Sequence, residues 1–218
     1  MDEKTRIARR VAQELHSGDV VNLGIGLPTK VANYLPAGTQ VFFQSENGIL
    51  GIQPVPEGGL VNGDLSDAGG RPTGAVPGAV AFDSAMSFAL IRGGHLDVTV
   101  LGGLQVDAKG HLANWMVPGK MVPGMGGAMD LVSGARRVIV AMQHTAKGAH
   151  KIVQECSLPL TASRRVDLIV TDLAVIEPTD GGLVLKETAP GVSVEQVQAA
   201  TGCPLVIPDK VGVMPVAD

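Results

Sequence analysis

The sequence predicts an α/β fold in which helices flank a mostly parallel sheet. Short apolar segments of strand length alternate with amphipathic segments of helical spacing along nearly the whole chain. Glycine is abundant, with 29 residues, and aromatic residues make up only 3% of the 218, which predicts an aliphatic core and many tight turns. No internal repeat or linker-like composition interrupts the pattern, so we expect a single domain over residues 1–218.

The first part of the chain predicts a helix, a strand and a second helix. Apolar residues recur at helical spacing over residues 3–15, and Ser17-Gly18 ends that helix. Residues 19–23 form an apolar run of strand length that leads into Gly24-Ile25-Gly26. A proline at the first-turn position then opens a predicted helix over residues 28–35.

A second predicted strand, residues 40–44, leads directly into Ser45-Glu46-Asn47-Gly48. We therefore expect Glu46 to lie where a strand ends and a loop begins, and we expect the glycine- and proline-rich residues 51–78 to continue as that loop. In open parallel sheets, ligands bind beyond the carboxyl ends of the strands. Glu46 is predicted to lie at such an end.

The second half of the chain continues the alternation of helix and strand. Asp83 is the predicted N-cap of a helix that runs to Leu90 and stops at Gly93-Gly94. Ser193 and Gln196 form a capping box for a last helix. Between these helices, apolar runs predict strands over residues 97–101, 137–141, 166–171 and 183–185.

Composition and charge exclude several classes of function. The net charge is -4 and the basic residues are spread along the chain, so we expect no nucleic-acid partner. The charged N-terminus precedes no apolar segment and no run is long enough to cross a membrane, so we expect a soluble, cytoplasmic protein. Cys156 and Cys203 lack the spacing of a metal site, and the histidines are scattered, so we expect neither a metal site nor a nucleophile-base pair.

Glu46 is the main candidate for a catalytic residue. Most glutamates that precede an Asn-Gly turn are solvated turn residues, and the motif alone leaves that interpretation open. The apolar run Val41-Phe42-Phe43 precedes Glu46, however, and Ile49-Leu50 follows it. An ionisable side chain within such a run requires compensation if it is buried, and such carboxylates are typical of active sites.

Two glycine-rich segments are candidate binding loops. Residues 123–130 predict a helix start whose backbone N–H groups, including those of Gly126 and Gly127, suit an oxyanion, although a plain loop before a helix is the alternative. Gly24-Ile25-Gly26 is half of a dinucleotide fingerprint, but Thr29 stands in place of the third glycine, so we expect no nicotinamide cofactor. The sequence also lacks a phosphate-binding loop and a His-Glu-x-x-His motif, so neither ATP nor zinc is expected.

Several of these segments occur together in an order that resembles one family. They are Val21-Asn22-Leu23-Gly24-Ile25-Gly26-Leu27-Pro28-Thr29, Ser45-Glu46-Asn47-Gly48-Ile49-Leu50-Gly51, Ile91-Arg92-Gly93-Gly94-His95-Leu96-Asp97, Leu112-Ala113-Asn114-Trp115 and Gly124-Met125-Gly126-Gly127-Ala128-Met129-Asp130-Leu131-Val132. Over nearly its whole length the chain resembles the beta subunits of the acetate, acetoacetate, butyrate and succinyl-CoA:3-oxoacid CoA-transferases.

The resemblance implies roles for individual residues. The family's catalytic glutamate corresponds to Glu46, and the backbone glycine that stabilises the oxyanion corresponds to Gly127. Asp67 stands where related chains more often have Asn, which leaves the contacts on the substrate side open. The residues expected to contact substrate or CoA are Asn22, Gly24, Gly26, Asn47, Gly48 and Gly126.

The resemblance also implies a fold similar to that of the sugar-phosphate isomerase and CoA-transferase superfamily, and a reaction through a glutamyl-CoA thioester. CoA would be a substrate, with no permanently bound cofactor and no metal. The expected partners are a separate alpha subunit in a hetero-oligomer, an acyl-CoA and a short-chain acid; apolar surface exposed without the alpha subunit would favour self-association. Two alternatives stay open: a sugar-phosphate isomerase that uses a carboxylate base, and a non-catalytic ligand-binding subunit of the same fold.

Overall fold

A long mixed sheet runs through the protein, whose computed structural model describes residues 1–55, 58–59, 61–119 and 126–215. The strands are β1 (Val20–Leu23), β2 (Phe42–Ser45), β3 (Ile49–Gln53), β4 (Gly74–Ala81), β5 (Val98–Leu101), β6 (Gln105–Asp107), β7 (Leu112–Ala113), β8 (Arg137–Ala141), β9 (Thr145–Ala146), β10 (Ala149–His150), β11 (Ile152–Val153), β12 (Leu168–Val170), β13 (Ala174–Thr179), β14 (Gly182–Thr188), β15 (Leu205–Val206) and β16 (Gly212–Val213). The helices are α1 (Glu3–Ala12), a 3-10 helix (Leu27–Tyr34), α2 (Ser84–Arg92), α3 (Ala128–Gly134) and α4 (Val194–Ala200).

The strand order of the main sheet is β15-β14-β13-β12-β8-β5-β1-β2-β3-β4, and β16 also pairs with β14. The central strands β2, β1, β5, β8 and β12 are parallel, whereas β3 and β4 at one end and β13 and β14 at the other pair as antiparallel hairpins. Two small sheets, β9 with β10 and β11-β6-β7, lie outside this order. The α/β class with a mostly parallel centre is therefore confirmed.

Aliphatic side chains cover both faces of the central strands. Along β8, Ile139 belongs to the cluster formed with α1 and the 3-10 helix, while Val138 and Val140 belong to the cluster formed with α2, α3 and α4. All three side chains are fully buried. Truncating one of them, as in Ile139→Ala, would cost about 2–5 kcal/mol of stability through lost burial and a residual cavity.

A cluster of ion pairs fixes α1 to the sheet at the amino end of β8. The guanidinium of Arg10 pairs with Glu187 of β14 at 2.7 Å and with Glu14 at 2.6 Å. Arg137, the first residue of β8, also pairs with Glu14, at 2.5 Å. Because Glu46 follows the carboxyl end of the parallel strand β2, this cluster and Glu46 lie at opposite ends of the strands.

Helices α2 and α3 pack unusually closely, and this contact positions the residues around Glu46. A Cβ built on Gly134 would lie only 2.2 Å from the carbonyl oxygen of Ile91, so the end of α3 tolerates no side chain there. At the start of α3, a Cβ on Gly127 would lie 3.4 Å from the ring of Phe88 on α2. Asp130 of α3 pairs with Arg92 of α2 at 2.7 Å and further joins the two helices.

Several sequence predictions are confirmed by these elements. The strand predicted over residues 137–141 coincides with β8. Asp83 caps α2 by accepting a hydrogen bond from the backbone N–H of Met86, and the capping box of Ser193 and Gln196 is present at α4.

Other predictions differ from the structure. The loop predicted over residues 51–78 is wrong in part, because those residues include the last three residues of β3 and the first five of β4. The helix predicted over residues 28–35 is a 3-10 helix, and β13 is not predicted at all. Of the predicted glycine loop over residues 123–130, residues 123–125 lie outside the described part of the chain. Within the described part, no helix is both long and apolar enough to span a membrane.

Candidate active site

Glu46 is the first residue after β2, in the tight turn that joins β2 to the antiparallel strand β3. The backbone N–H of Gly48 donates to the carbonyl of Ser45 at 2.9 Å and closes this turn. Glu46 is partly buried, so its carboxylate is neither enclosed in the core nor free in bulk water. The predicted location at a strand end is confirmed, although the strand continues into a hairpin and not into a long loop.

The amide of Asn22 holds one oxygen of the Glu46 carboxylate. Asn22 Nδ2 lies 3.2 Å from Glu46 Oε2 and donates to it, and Asn22 itself is fully buried. Asn22 of β1 stands in register with Gln44 of β2, so both side chains project from the same face of the sheet. The structure therefore brings together two residues that sequence analysis selects from separate motifs.

The glycine turn before α3 lies against the other oxygen of Glu46. A Cβ on Gly127 would lie 3.4 Å from both Cγ and Oε1 of Glu46, and one on Gly126 would lie 3.8 Å from Oε1. Gly127 is the N-cap residue of α3 and makes no side-chain cap hydrogen bond. The first backbone N–H groups of a helix have no partner within the helix, so those at the start of α3 are available to an anion.

A cavity of about 290 Å³ opens beside Glu46. Its walls are mainly apolar, with Leu23, Phe43 and Ile52 among the residues that line it. The polar side chains on its wall include Arg71, which pairs with Asp67 at 3.5 Å and whose side chain is about half exposed. An apolar cavity with a few polar groups and a carboxylate at its edge suits a small organic ligand.

The remaining predicted contact residues are distributed around this site. Asn47 is exposed and donates to the carbonyl of Ser66 at 2.9 Å, and Gly26 is exposed beside the 3-10 helix. Gly24 and Gly48 instead pack against backbone: a Cβ on Gly24 would lie 3.1 Å from the carbonyl oxygen of Val100. These two glycines shape the chain near Glu46 and do not line the cavity.

Two polar residues that sequence analysis does not select also belong to the site. Gln44 accepts a hydrogen bond from Asn22 Nδ2 at 2.8 Å and donates to Ser87 Oγ of α2 at 2.8 Å. Both residues are buried. The signal that could have identified Gln44 is its polar amide directly after the apolar run Val41-Phe42-Phe43, at a buried position of β2.

Other titratable groups have environments that disfavour chemistry at neutral pH. Burial lowers the pKa of His144, and with the nearby positive charges of His150 and Lys151 the value falls to about 4. Both ring nitrogens of His144 are occupied by threonine hydroxyls. Burial raises the pKa of the Cys156 thiol to about 12, with smaller contributions from two neighbouring carboxylates. Neither group offers a reactive base or thiolate.

The chain is similar to known proteins over most of its length. Residues 4–200 match the family described as Coenzyme A transferase. The chain is 62% identical over 202 residues to the beta subunit of acetate CoA-transferase from Escherichia coli strain K12, with 92% of each chain covered. It is 51% identical over 201 residues to a probable succinyl-CoA:3-ketoacid coenzyme A transferase subunit of Bacillus subtilis strain 168, covering 92% of this chain and 93% of that protein.

A solved structure supports the same fold. The apoenzyme of acyl-CoA transferase YdiF from Escherichia coli O157:H7 superposes with a TM-score of 0.80 at 24% identity. The match covers 98% of this chain and 43% of that longer chain. With a family match over residues 4–200 and relatives above 50% identity, the chain belongs to the coenzyme A transferase family.

Proposed function

We propose that this chain is the beta subunit of a CoA-transferase that moves CoA between an acyl-CoA thioester and a short-chain carboxylic or 3-oxo acid. The observation that carries the proposal is the position of Glu46, whose carboxylate lies between the amide of Asn22 and the turn of Gly126 and Gly127. The names of the similar proteins, which include acetate and succinyl-CoA:3-ketoacid transferases, support the substrate class.

Glu46 acts as the covalent nucleophile in this proposal. Its carboxylate attacks the thioester carbonyl of the acyl-CoA, the carbon–sulfur bond breaks, and an acyl-glutamyl anhydride and CoA thiolate result. The thiolate then attacks the glutamyl carbonyl of the anhydride, which releases the free acid and leaves a glutamyl-CoA thioester. An incoming carboxylate reverses both steps and leaves with CoA, so the exchange needs no ATP.

The surroundings of Glu46 suit this chemistry because a carboxylate is a weak nucleophile. The rate must come from alignment of the reacting groups, exclusion of water and hydrogen bonds to the developing oxyanion. We assign the oxyanion donor to the backbone N–H of Gly127, and loss of one such donor typically costs about 3–4 kcal/mol of barrier stabilisation. The cavity near Glu46 has a mainly apolar wall, and we expect bound substrate to displace water from it.

CoA is a substrate in this proposal, which requires no permanently bound cofactor. Asn47 and Gly126 are exposed next to Glu46 and are the expected contacts for CoA, with Asn22, Gly24, Gly26 and Gly48 shaping the same region. The similar bacterial proteins are themselves named as subunits of transferases, in Escherichia coli as the beta subunit. We accordingly propose a separate alpha subunit and a cytoplasmic hetero-oligomer.

The decisive experiment uses the complex of this chain with its alpha subunit. Glu46→Gln and Glu46→Ala should lose nearly all transfer of CoA from an acyl-CoA to acetate or acetoacetate. Glu46→Asp should lose most of it, because one methylene less withdraws the oxygen from its line of attack. Incubation with the acyl-CoA alone should add one CoA, less water, to the peptide that contains Glu46, as measured by mass spectrometry.

A matched control is Glu177→Gln on β13. This carboxylate is partly exposed and pairs with Lys186, and its loss should leave transfer unchanged. Near-normal turnover in Glu46→Ala would refute the role of Glu46. An active complex without the CoA adduct would instead indicate direct transfer with no covalent intermediate.

A further inference from the structure

A row of buried polar side chains leads from α2 to Glu46. Asn22 and Ser87 are fully buried and Gln44 is 2% exposed. Buried amides and hydroxyls are costly unless they are hydrogen-bonded, and here each residue bonds to the next, although Asn22 Oδ1 has no partner within the described residues. Gln44 Nε2 donates to Ser87 Oγ at 2.8 Å, and Asn22 Nδ2 donates to Gln44 Oε1 at 2.8 Å.

The acceptors around Asn22 fix the orientation of its amide. Asn22 Nδ2 faces the backbone carbonyl of Gln44 at 3.2 Å, the side-chain oxygen of Gln44 at 2.8 Å and Glu46 Oε2 at 3.2 Å. Rotating the amide by 180° would turn Asn22 Oδ1 toward all three oxygens, which is repulsive. The side chain of Gln44 therefore helps to keep a donor, and not an acceptor, directed at Glu46.

The orientation of Gln44 depends in turn on its neighbours. Gln44 Oε1 accepts the hydrogen bond from Asn22, so Gln44 Nε2 needs an acceptor elsewhere. That acceptor lies on α2. Ser87 accepts from that nitrogen, and its hydroxyl comes from α2, whose Phe88 packs beside Gly127. One network thus connects the donor to Glu46 with the helix that contacts the glycine turn.

We infer that Gln44 and Ser87 are positioning residues for the transfer reaction. They act through Asn22, which holds Glu46 Oε2 and leaves Oε1 at the Gly127 turn. The inference rests on the proposed function of Glu46 as nucleophile. Fixing the carboxylate in this way reduces the reorganisation needed for in-line attack, and a misplacement of about 1 Å typically costs about 100-fold in rate.

The test compares variants within the purified complex with the alpha subunit. Gln44→Met keeps the length of the side chain but removes the amide, and should lower kcat about 10- to 100-fold with the KM for acyl-CoA changed less than about twofold. Gln44→Glu keeps the shape but adds a negative charge. It should shift the acidic limb of the kcat–pH profile to higher pH, because a second carboxylate disfavours the ionised form of the first.

Ser87→Ala tests whether the hydroxyl acts through Gln44. Alone it should lower kcat by a smaller factor, because Gln44 keeps its bond to Asn22. Combined with Gln44→Met it should cause no loss beyond that of Gln44→Met, since residues in one network are not additive. A purely structural role for Ser87 would instead give losses that multiply.

Thr99→Val is the matched control. Thr99 stands in register with Asn22 on the other neighbouring strand and is fully buried, but its hydroxyl makes no hydrogen bond within the described residues. This variant should keep normal kcat and pH profile. Comparable losses of kcat in Thr99→Val and Gln44→Met would overturn the inference, because substitutions of buried polar residues next to Asn22 would then act through packing.

Failure of the positioning role can be distinguished from failure of the proposed function. Normal kcat and pH profile in both Gln44 variants, while Glu46→Gln is inactive and wild type forms the CoA adduct, would overturn the positioning role alone. If Gln44→Met lowers the melting temperature by more than about 10 °C, the isosteric Gln44→Glu decides the question through its pH profile. Full activity of Glu46→Gln would overturn both proposals.

Discussion

A methyl group added to the α carbon of Gly127 would lie 3.4 Å from Oε1 of Glu46, at ordinary van der Waals distance. The φ angle of Gly127 is -84°, which alanine adopts without strain. We therefore expect Gly127→Ala to fold with a melting temperature about 2–4 °C below wild type, since alanine is a poorer N-cap residue than glycine by about 1 kcal/mol. The methyl group fills the space next to the carboxylate, so kcat should fall at least about tenfold.

Steady-state kinetics and thermal unfolding of the same preparation check this prediction. Gly63→Ala is the control, because an added Cβ there meets no atom within 4 Å. Unchanged kcat in Gly127→Ala would show that the space beside Glu46 is not used in the reaction.

Gly48→Ala should be strongly destabilising for a different reason. A Cβ there would lie 2.0 Å from the carbonyl oxygen of Phe82, and the φ angle is +117°. Both the backbone contact and the strained conformation oppose a side chain, and we expect a loss of about 3 kcal/mol or more in the free energy of unfolding. Gly18→Ala, with φ of +95° but open space, should lose only about 1–2 kcal/mol. Equal losses in urea denaturation would mean that the Phe82 contact relaxes freely.

The buried histidine makes stability depend on pH. The folded protein holds the pKa of His144 at about 4, while the unfolded chain has the ordinary value of 6.5. As pH falls from about 6.5 to about 4, the unfolded chain takes up a proton that the folded protein does not, so stability decreases and then levels off. The loss assigned to His144 should approach about 3 kcal/mol at its full extent.

The measurement is the difference in unfolding free energy between wild type and His144→Gln across that pH range. The variant should lack this part of the pH dependence. His16→Gln is the control, because the His16 side chain is 77% exposed, and it should follow wild type. Parallel curves for wild type and His144→Gln would contradict the prediction.

Removing Arg10 should destabilise the protein without affecting chemistry. Arg10→Met leaves Glu14 and Glu187 partly buried with one cation fewer, and breaking such a pair typically costs about 3–5 kcal/mol. Burial opposes ionisation of Glu14, but hydrogen bonds from Arg137 and Arg10 outweigh it and hold the pKa of Glu14 below its ordinary value. The stability that ionised Glu14 contributes is fully present above its ordinary pKa of 4.5 and is lost as pH falls through the lowered pKa.

Thermal unfolding near neutral pH checks the size of the loss. Adding Glu187→Leu to Arg10→Met should recover part of it, since the uncompensated carboxylate is then gone. The kcat of Arg10→Met below its unfolding temperature should equal that of wild type, and a large change would contradict the separation between the ion cluster and Glu46.

Local signals account for the parts of the fold that the sequence predicts well. The apolar run of β8 and the caps at Asp83 and Ser193 depend on neighbouring residues, so they can be read directly from the chain. The strand β4 could not be predicted, because Gly74–Ala81 consists of residues with weak or mixed strand preference. Pairing with β3 makes it a strand, and that pairing is a tertiary contact.

The same distinction applies to the site. The position of Glu46 at the end of a strand follows from its local motif. The roles of Glu46 as nucleophile and of Gly127 as oxyanion donor stay predictions. The contacts of Glu46 with Asn22 and Gly127 depend on strand order and on where α3 begins. The link from Gln44 to Ser87 spans 43 residues and exists only because α2 covers that face of the sheet. No spacing rule in the sequence could identify it.

The strand β4 has a practical consequence for a chain produced by itself. It ends the strand order of the main sheet, it carries no charged residue, and Pro77 removes only one backbone donor. Uncharged edge strands of this kind can pair with the same strand of a second molecule, so the protein should aggregate at high concentration. The side chain of Val80 is 54% exposed, so Val80→Lys should reduce aggregation without disturbing the core.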